Sequence, residues 1–316
     1  MKILLTALGT LSASAIIQRL KSLGHYVIGT DINAGEYLYA SRFADEFIQF
    51  PSVVGNPDYF NYVKSFCIQR AVDLIIPIID EEVELLTENA CALKTVNIDV
   101  LSPGLKAVRI CRNKYATSEF TKLYFPEIHI PTRYLKDYSG EFDFPVFVKP
   151  SSGRASIDCS KVLGQNDLNY FRQKTEVLSD LVIQPLCSGS YISVDLIRDA
   201  VRNDAKCAIR KEILRNANGA AIAVQFVEDE SLMKICCSIA EKLDADGVLN
   251  FEFFQTESGF KLIEINPRFP AGTEFTCLAG LDLIADWLRI KDNKPLSPDS
   301  VCIGKKFARR YESYEC

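Results

Sequence analysis

Two apolar segments, residues 248–254 and 260–266, each contain a single glutamate among residues that favour β-strands. Residues 257–259 between them favour a turn, so the pattern predicts a β-hairpin. In this hairpin Glu252 lies opposite Glu264, because the two segments pair outward from the turn. Strand alternation then sends four apolar side chains to the opposite face: Phe251, Phe253, Ile263 and Ile265.

The polar face of the predicted hairpin carries Glu252, Glu264 and Asn266. Two carboxylates about 5 Å apart across a strand pair are costly to bury without a partner. Carboxylate and amide oxygens are, however, the ligands that Mg²⁺ prefers. The sequence therefore predicts a divalent metal site, of the kind that holds a nucleoside triphosphate. The alternative is a surface hairpin with solvated charges, which the flanking aromatic and aliphatic residues disfavour.

The composition narrows the class of protein. The chain has 316 residues and a formal charge of −5, which disfavours nucleic-acid binding because that function needs basic surfaces. No apolar run approaches the roughly 20 residues of a membrane span, so no membrane partner is expected. The 11 cysteines include no CxxC pair, and there are two histidines. These counts disfavour a structural zinc site and predict a reduced, cytoplasmic protein.

The first third of the chain alternates predicted strands and helices, the pattern of a parallel sheet covered on both faces. The predicted strands there are residues 3–6, 26–30, 72–77 and 100–102, and the predicted helices are residues 12–23, 57–70 and 82–94. After about residue 110, short strands and separate helices indicate an α+β architecture. The strands predicted there are residues 146–149, 161–163, 181–184, 190–198 and 206–209, with helices at 114–124, 232–243 and 281–290.

Three further segments carry candidate binding groups. Lys149 ends a predicted strand before a small-residue loop, residues 151–156, which predicts a phosphate clamp; the alternative is an ordinary hairpin turn. Residues 184–186 form a kinked strand exit, which either presents backbone groups to a flat heterocycle or simply ends the strand. Arg268 follows the hairpin, where its guanidinium is placed to meet anionic oxygen.

Acidic residues follow two strands of the first third. Asp80 and Glu81 either begin a helix or recognise a substrate amine at a strand end. Asp31 imitates the ribose ligand of a dinucleotide-binding fold, but Gly9 alone does not make the glycine-rich fingerprint. A Rossmann-type dehydrogenase is therefore the weaker hypothesis for this domain.

Together these features resemble the ATP-grasp superfamily, most closely its carbamoyl-phosphate-synthetase-like ligases, the group that includes the pyrrolysine-pathway ligase. The resemblance implies an α/β N-terminal preATP-grasp domain, with a Rossmann-like parallel sheet, over residues 1–110. It also implies an α+β ATP-grasp fold of two subdomains, residues 111–187 and residues 188–316, the second containing the metal site. The segment at residues 307–311 resembles the C-terminal strand of this group.

The resemblance assigns roles to individual residues, which we state as expectations. Adenine is expected at the hinge residues Gln184, Pro185 and Leu186, and phosphates at Lys114, Lys149, Ser151, Ser152 and Gly153. Magnesium is expected at Glu252, Glu264 and Asn266. Catalytic roles are expected for Arg268, Lys149 and Arg210. Substrate contacts are expected from Arg268, from Asp80 or Glu81 toward an amine, and from Arg309 and Arg310 toward an acid.

The implied activity is ATP-dependent ligation of a carboxylate to an amine or a thiol. The acid attacks the γ-phosphate of ATP to give an acylphosphate and ADP, and the amine then displaces phosphate. The expected cofactors are ATP and Mg²⁺, with Mn²⁺ as an alternative ion; the expected partners are small-molecule substrates, and the family suggests a homodimer. Ser190 stands where many relatives carry a glutamate. A second hypothesis is therefore an ATP-binding regulatory or degenerate ATP-grasp protein without ligase turnover.

Overall fold

A parallel sheet forms the N-terminal part of the computed structural model, which describes residues 1–153, 158–174 and 180–316. Its strands are β1 (Lys2–Leu5), β2 (Tyr26–Asp31), β3 (Glu46–Gln49), β4 (Leu74–Ile76) and β5 (Asp99–Val100). They lie in the order β3-β2-β1-β4-β5, and each neighbouring pair is parallel. This arrangement confirms the fold predicted for the first third of the chain.

Helices cover both faces of the sheet because its strands alternate apolar side chains between the faces. The helices are α1 (Ala13–Ser22), α2 (Tyr59–Arg70), α3 (Asp80–Glu88) and α4 (Ala90–Lys94). From β1, Ile3 and Leu5 join α1 in one buried cluster, whereas Leu4 joins α2, α3 and α4 in another. The carboxyl ends of the strands are left open, which is where ligands bind in such sheets.

A small antiparallel sheet follows two helices, α5 (Leu105–Arg112) and α6 (Lys114–Tyr124). Its strands are β6 (Arg133–Tyr134), β7 (Val146–Pro150), β8 (Ser160–Val162) and β9 (Leu181–Pro185), in the order β6-β9-β7-β8. Helix α7 (Gln165–Lys174) covers one face, where Leu168 packs with Val148 and Ile183. The opposite face is available to the central cleft.

A six-stranded antiparallel sheet completes the molecule in the order β14-β13-β10-β11-β12-β15. Its strands are β10 (Ser190–Asp199), β11 (Asp204–Arg215), β12 (Ala221–Val227), β13 (Gly247–Thr256), β14 (Gly259–Asn266) and β15 (Lys306–Ala308). Its helices are α8 (Glu230–Lys242), α9 (Thr273–Leu278) and α10 (Leu283–Lys291), and α8 buries the apolar face of β10 and β13. Of the helices that the structure describes, none is long and apolar enough to cross a bilayer.

A shared hydrophobic core joins the parallel sheet to the six-stranded sheet. Ile17 of α1, Phe226 of β12 and Trp287 of α10 belong to one buried cluster. Gly247 allows this packing, because a Cβ at that position would lie 2.1 Å from the indole Nε1 of Trp287. The core therefore fixes the orientation of the two sheets across the cleft between them.

The C-terminal sheet is larger than the sequence predicted. Strand β11 spans Asp204–Arg215 instead of residues 206–209, and β12 was not predicted as a strand. Charged residues interrupt the apolar pattern at the end of β11, as at Arg210 and Glu212. These two side chains line the cleft and do not face solvent. Their charge made the segment look unlike a strand in the sequence, although tertiary contacts support one.

Candidate active site

A cleft of about 640 Å³ lies where the three sheets meet. The loop after β1 contributes residues 9–12, and the small sheet contributes Lys149 and Gln184. The hairpin of β13 and β14 contributes Glu252 and Glu264 to the same space. Candidate residues that are far apart in the sequence therefore face one another across a single cavity.

Strands β13 and β14 form the predicted hairpin, with Glu252 directly opposite Glu264. Asn250 lies opposite Asn266, and both line the cleft. The apolar side chain of Phe251 points the other way and is fully buried beneath α8. This register confirms the prediction made from the turn and the alternation.

A β-bulge changes the second half of the hairpin. Beyond Glu252 the register shifts, so that Phe253 pairs with Leu262. As a result Leu262 enters the core, whereas Ile263 lines the cleft. The prediction that Ile263 belongs to the apolar face was wrong, because one extra residue in a strand reverses the alternation beyond it.

The floor of the cleft fits a divalent cation. Burial raises the pKa of Glu252 to about 8, and the nearby Glu264 carboxylate adds to this shift. Asn266 Nδ2 donates to Asn250 Oδ1 at 3.1 Å and lies 3.5 Å from Glu264 Oε1. No group of three His, Cys, Asp or Glu side chains in the described ranges could bind a metal by itself. The remaining ligands would therefore be the Asn266 amide and phosphate oxygens.

Arg268 is held beside the hairpin by Asp80. Its Nε and Nη2 donate to the two carboxylate oxygens of Asp80 at 2.7 and 2.9 Å. Asp80 is 2 % exposed, and its Oδ2 also lies 3.8 Å from Arg112 Nη1. The expected contact between Asp80 and a substrate amine is thereby corrected, since this carboxylate orients Arg268 instead. Glu81 does not line the cleft that the described residues form.

Arg210 projects from β11 into the cleft and is 2 % exposed. Its Nη1 donates to Asp195 and to Thr276 Oγ1, and its Nη2 donates to Ser193 Oγ at 2.9 Å. Arg210 Nε has no hydrogen-bond partner in the part of the chain that the structure describes. A Cβ at Gly272 would lie 2.4 Å from Arg210 Nη2, so this glycine is needed for the close approach. The Arg210 guanidinium is therefore fixed in position, and its Nε donates to none of the described residues.

Lys149 and Lys114 supply positive charge from the side of the small sheet. Lys149 is 5 % exposed, and burial lowers its pKa to about 8, with Lys114 contributing and Glu264 opposing the shift. Both lysines line the cleft. The two ammonium groups therefore face the carboxylates of the hairpin, as expected for a phosphate clamp.

The segment after Lys149 differs in part from the expected phosphate loop. Gly153 lines the cleft, and its carbonyl accepts a hydrogen bond from Lys114 Nζ at 3.3 Å. Ser151 is buried and Ser152 is exposed, and neither lines the cleft of the described residues. Their expected phosphate contacts stay predictions. Residues 154–156 of the predicted loop lie outside the described residues.

The hinge residues Gln184, Pro185 and Leu186 all line the cleft. Gln184 Nε2 donates to Thr132 Oγ1 at 3.2 Å. The backbone N–H of Leu186 donates to the Pro145 carbonyl at 3.1 Å. The expectation that this N–H reads adenine is therefore corrected, because the group is already engaged.

Neither arginine of the C-terminal segment lines the cleft that the described residues form. Arg309 lies over the Phe275 ring, with Cζ 4.8 Å from its centroid, and donates to the carbonyl of Ala271, which does line the cleft. Arg310 is paired with Glu312 at 3.1 Å, so the substrate contacts of both arginines stay predictions. Strand β15 does pair with β12, as the resemblance implied, and it brings Tyr311 to the cleft instead.

Tyr191, and not Ser190, faces the cleft at the start of β10. Tyr191 pairs with Phe254 on the face that carries Glu252, and its ring centroid lies 4.7 Å from that of Phe254. Ser190 points away from this face, as strand alternation requires. Ser190, where the family pattern has a glutamate, therefore does not line the cleft of the described residues, whereas the Tyr191 ring does.

Asp31 has a structural role that removes support from the dehydrogenase hypothesis. Its Oδ2 accepts the Gly9 backbone N–H at 2.7 Å, and its Oδ1 accepts two N–H groups of Asn33 at 2.9 Å each. These bonds fix the loop after β1. A carboxylate engaged in this way is a poor ligand for a ribose hydroxyl.

Two charged residues of β11 were missed from the sequence. Glu212 and Arg215 both line the cleft, and Arg215 Nε lies 3.1 Å from Glu212 Oε2. Arg215 Nη2 also lies 3.5 Å from Glu252 Oε2. The two-residue spacing of Arg210 and Glu212 indicates a shared face once β11 is recognised as a strand.

Comparison with known proteins agrees with this architecture. Residues 3–101 match a family model described as the PylC-like N-terminal domain. Residues 177–304 match a model described as ATP-grasp in the biosynthetic pathway with Ter operon. The first match covers the parallel sheet, and the second covers β9 to β14 with the hairpin of β13 and β14.

Curated relatives include 3-methyl-D-ornithine–L-lysine ligases from two archaea. The Methanosarcina acetivorans protein is 27 % identical over 83 % of this chain and 68 % of its own length. The Methanosarcina mazei protein is 26 % identical over 83 % of this chain and 66 % of its own length. The chain thus spans about two thirds of the length of these relatives.

Solved structures share the fold at lower identity. The biotin carboxylase domain of Hydrogenobacter thermophilus 2-oxoglutarate carboxylase gives a TM-score of 0.76 at 18 % identity, covering 93 % of this chain and 70 % of that one. N5-carboxyaminoimidazole ribonucleotide synthetase from Thermotoga maritima gives 0.72 at 20 % identity, covering 96 % and 79 %. The fold is therefore shared with these enzymes, and the chain joins a PylC-like N-terminal domain to an ATP-grasp domain.

Proposed function

We propose that the protein is an ATP-dependent, ADP-forming ligase that joins a small-molecule carboxylate to an amine through an acylphosphate. One observation carries the proposal: the paired Glu252 and Glu264, with Asn266 and Arg268 beside them, line the same cleft as Lys149. Oxygen ligands together with cationic donors in one cleft suit a triphosphate with its metal ion. The ATP-grasp domain match supports this activity class.

The metal ligands of the proposal are Glu252, Glu264 and Asn266. Mg²⁺, or Mn²⁺ in its place, would supply charge neutralisation at the phosphates. The buried carboxylate pair suits this ion because its own charge is unfavourable without one. Two structural neighbours, a biotin carboxylase domain and an N5-carboxyaminoimidazole ribonucleotide synthetase, were solved with MgADP and ADP respectively, which supports ATP and Mg²⁺ here.

The cationic residues of the cleft would bind different groups of ATP and of the acid substrate. Lys114 and Lys149 would bind the phosphates of the departing ADP, and the Lys149 ammonium remains mostly charged at neutral pH. Arg268 would hold the γ-phosphoryl group, because its bidentate pair with Asp80 fixes the guanidinium. Arg210 keeps Nε unused in a dry pocket, which suits a substrate carboxylate or the acylphosphate made from it.

The base of ATP would lie against the hinge between apolar walls. Phe147, Leu186 and Ile263 line this part of the cleft. Because the Leu186 N–H is engaged by Pro145, adenine would be read by backbone groups of Cys187, the next residue that lines the cleft. Gln184 would contribute its side-chain carbonyl, since its Nε2 is held by Thr132.

For the substrates we propose the amino-acid class. The curated relatives act, according to their names, on 3-methyl-D-ornithine and L-lysine. Both are amino acids, which provide an amine and a carboxylate of the kind that the proposed chemistry joins. A shared domain order supports the class of substrate here but not the particular compounds.

Substrate-dependent ADP release tests the proposal. The purified protein is incubated with ATP, Mg²⁺ and pairs from a panel of amino acids, with ADP followed by a coupled assay and new amides by mass spectrometry. We expect ADP and an amide of matching stoichiometry with one or more pairs. A rise of melting temperature with ATP and Mg²⁺, but no ADP with any pair, would favour the regulatory alternative. No shift at all would contradict nucleotide binding.

The proposal includes the cellular location of the protein, its oligomeric state and its domain boundaries. We propose a cytoplasmic, homodimeric protein divided at residues 1–110, 111–187 and 188–316. All 11 cysteines are free, as expected in a reducing compartment. Light scattering after gel filtration tests the dimer, cell fractionation tests the compartment, and limited proteolysis tests the boundaries.

A further inference from the structure

Arg215 reaches the cleft through an irregular end of β11. The pairing with β12 slips between Glu212 and Leu214 and again between Leu214 and Arg215. Strict alternation from Glu212 would turn Leu214 inward and Arg215 outward. Instead Leu214 is 58 % exposed, while Arg215 lines the cleft with 18 % of its side chain exposed. The bulge exposes a leucine and brings a cation into the site.

The guanidinium of Arg215 is surrounded by partners. Its Cζ lies 3.8 Å from the centroid of the Tyr191 ring, and its Nε donates to the Gly219 carbonyl at 2.7 Å. Nε also lies 3.1 Å from Glu212 Oε2. The contact between Nη2 and Glu252 Oε2, at 3.5 Å, is longer than either polar contact of Nε, and Nη2 also donates to the Gly219 carbonyl. The contact with Glu252 can therefore break while the other contacts keep the Arg215 guanidinium in place.

We propose that Arg215 is a positioning residue that pairs with Glu252 in the metal-free protein and releases it to the divalent cation. The inference rests on the proposed metal-dependent function, because Glu252 is one of its ligands. A guanidinium and a divalent ion repel each other strongly at one carboxylate in a poorly solvated cleft. Arg215 and the metal therefore compete for Glu252, while Tyr191, Glu212 and Gly219 hold the arginine nearby.

This exchange gives Arg215 opposite effects on metal binding by the free protein and on the use of ATP. Without nucleotide, the arginine lowers the affinity of the site for a metal ion, because it occupies part of Glu252. With nucleotide bound, the released Nη2 becomes a donor for an oxygen of the ligand. Loss of Arg215 should therefore strengthen metal binding to the free protein and weaken use of ATP, a pair of changes that a purely structural arginine would not produce.

Mn²⁺ binding to the full-length, nucleotide-free protein tests the inference. Free Mn²⁺ is measured by electron paramagnetic resonance for wild type, Arg215→Gln and Arg215→Lys. We expect Arg215→Gln to bind Mn²⁺ about 3- to 10-fold more tightly, as removal of one nearby positive charge predicts. Arg215→Lys keeps the charge and should stay within about twofold of wild type. In turnover assays, Arg215→Gln should raise the KM for ATP about fivefold.

Arg109→Gln is the matched control, because Arg109 is 63 % exposed and pairs with Glu88 at 3.4 Å away from the cleft. It should leave both measurements unchanged. Unchanged or weaker Mn²⁺ binding by Arg215→Gln overturns the inference. Glu252→Gln and Glu264→Gln separate the two proposals: if both weaken Mn²⁺ binding and Arg215→Gln has no effect, only the role of Arg215 fails. If neither glutamate variant weakens binding, the metal site of the proposed function fails as well.

Discussion

The two ends of the cleft are built from different kinds of groups. At the metal end, charged side chains are held by fixed partners, as Arg268 is by Asp80 and Arg210 by Asp195. At the hinge end, the walls are backbone and uncharged side chains, and the Gln184 side chain donates to the Thr132 hydroxyl. Groups that stabilise developing charge need rigid positions, whereas a flat base needs mainly shape. We therefore expect substitutions at the metal end to lower kcat and those at the hinge end to raise the KM for ATP.

The largest effect is expected from Glu264→Ala at the metal end. Removing one of the two paired carboxylates should lower ADP formation by at least about 10³-fold, because the phosphates lose their metal ligand. The melting temperature should change little, since the side chain lies at the cleft. Glu257→Ala, in the exposed turn of the same hairpin, is the control. Wild-type turnover in Glu264→Ala would exclude the metal assignment.

Asp80→Ala should have the next largest effect, because it leaves the Arg268 guanidinium without its bidentate partner. We expect kcat to fall about 100-fold and the free energy of unfolding to fall by about 3 kcal/mol. Steady-state kinetics and urea denaturation measure the two changes. A large loss of stability with unchanged kcat would show that the ion pair supports the fold alone and that the metal end is less rigidly coupled than we infer.

A smaller effect is expected from pH through Lys149, whose pKa is lowered to about 8. Its ammonium is charged below that pH and loses its proton as the pH rises through it. ATP affinity should therefore fall between pH 7 and 9, by up to about tenfold. Calorimetry with a metal chelator present measures this slope. The Glu252 carboxyl, with a pKa of about 8, ionises in the same range and repels ATP in the same direction.

Lys149→Arg separates the two contributions, because arginine stays charged over this range. The part of the slope that the substitution removes belongs to Lys149. An unchanged slope in Lys149→Arg would assign the whole effect to the Glu252 carboxyl.

The smallest effect is expected from Thr132→Val at the hinge end. Loss of the hydroxyl frees Gln184 Nε2 and should raise the KM for ATP about threefold with kcat unchanged. Thr95→Val is the control, because the exposed Thr95 hydroxyl donates to the Ala92 carbonyl as the Thr132 hydroxyl donates to the Ile130 carbonyl. A fall in kcat instead would show that the hinge also positions the phosphates, and the contrast between the two ends would no longer hold.

The sequence predicted best where the structure is local. The hairpin of β13 and β14 is set by a short turn and by alternation, so its register followed from neighbouring residues. The bulge after Glu252 could not be predicted from neighbouring residues, because it adds a residue without changing the composition of either strand. The strand predicted at β11 was too short for a related reason. Arg210 and Glu212 have the charge typical of surface residues, and only the tertiary structure places them in the cleft.

The amino-acid sequence by itself determined the parallel sheet, the hairpin and the residue types at the proposed metal and phosphate sites. Short-range periodicity and turn chemistry encode these features. The tertiary structure alone decided the partners of the charged side chains. Asp80 and Arg268 are 188 positions apart, yet they form a bidentate pair, and Arg215 meets Glu252 only through the bulge in β11. Such pairings depend on how separately folded layers meet, which neither spacing nor composition specifies.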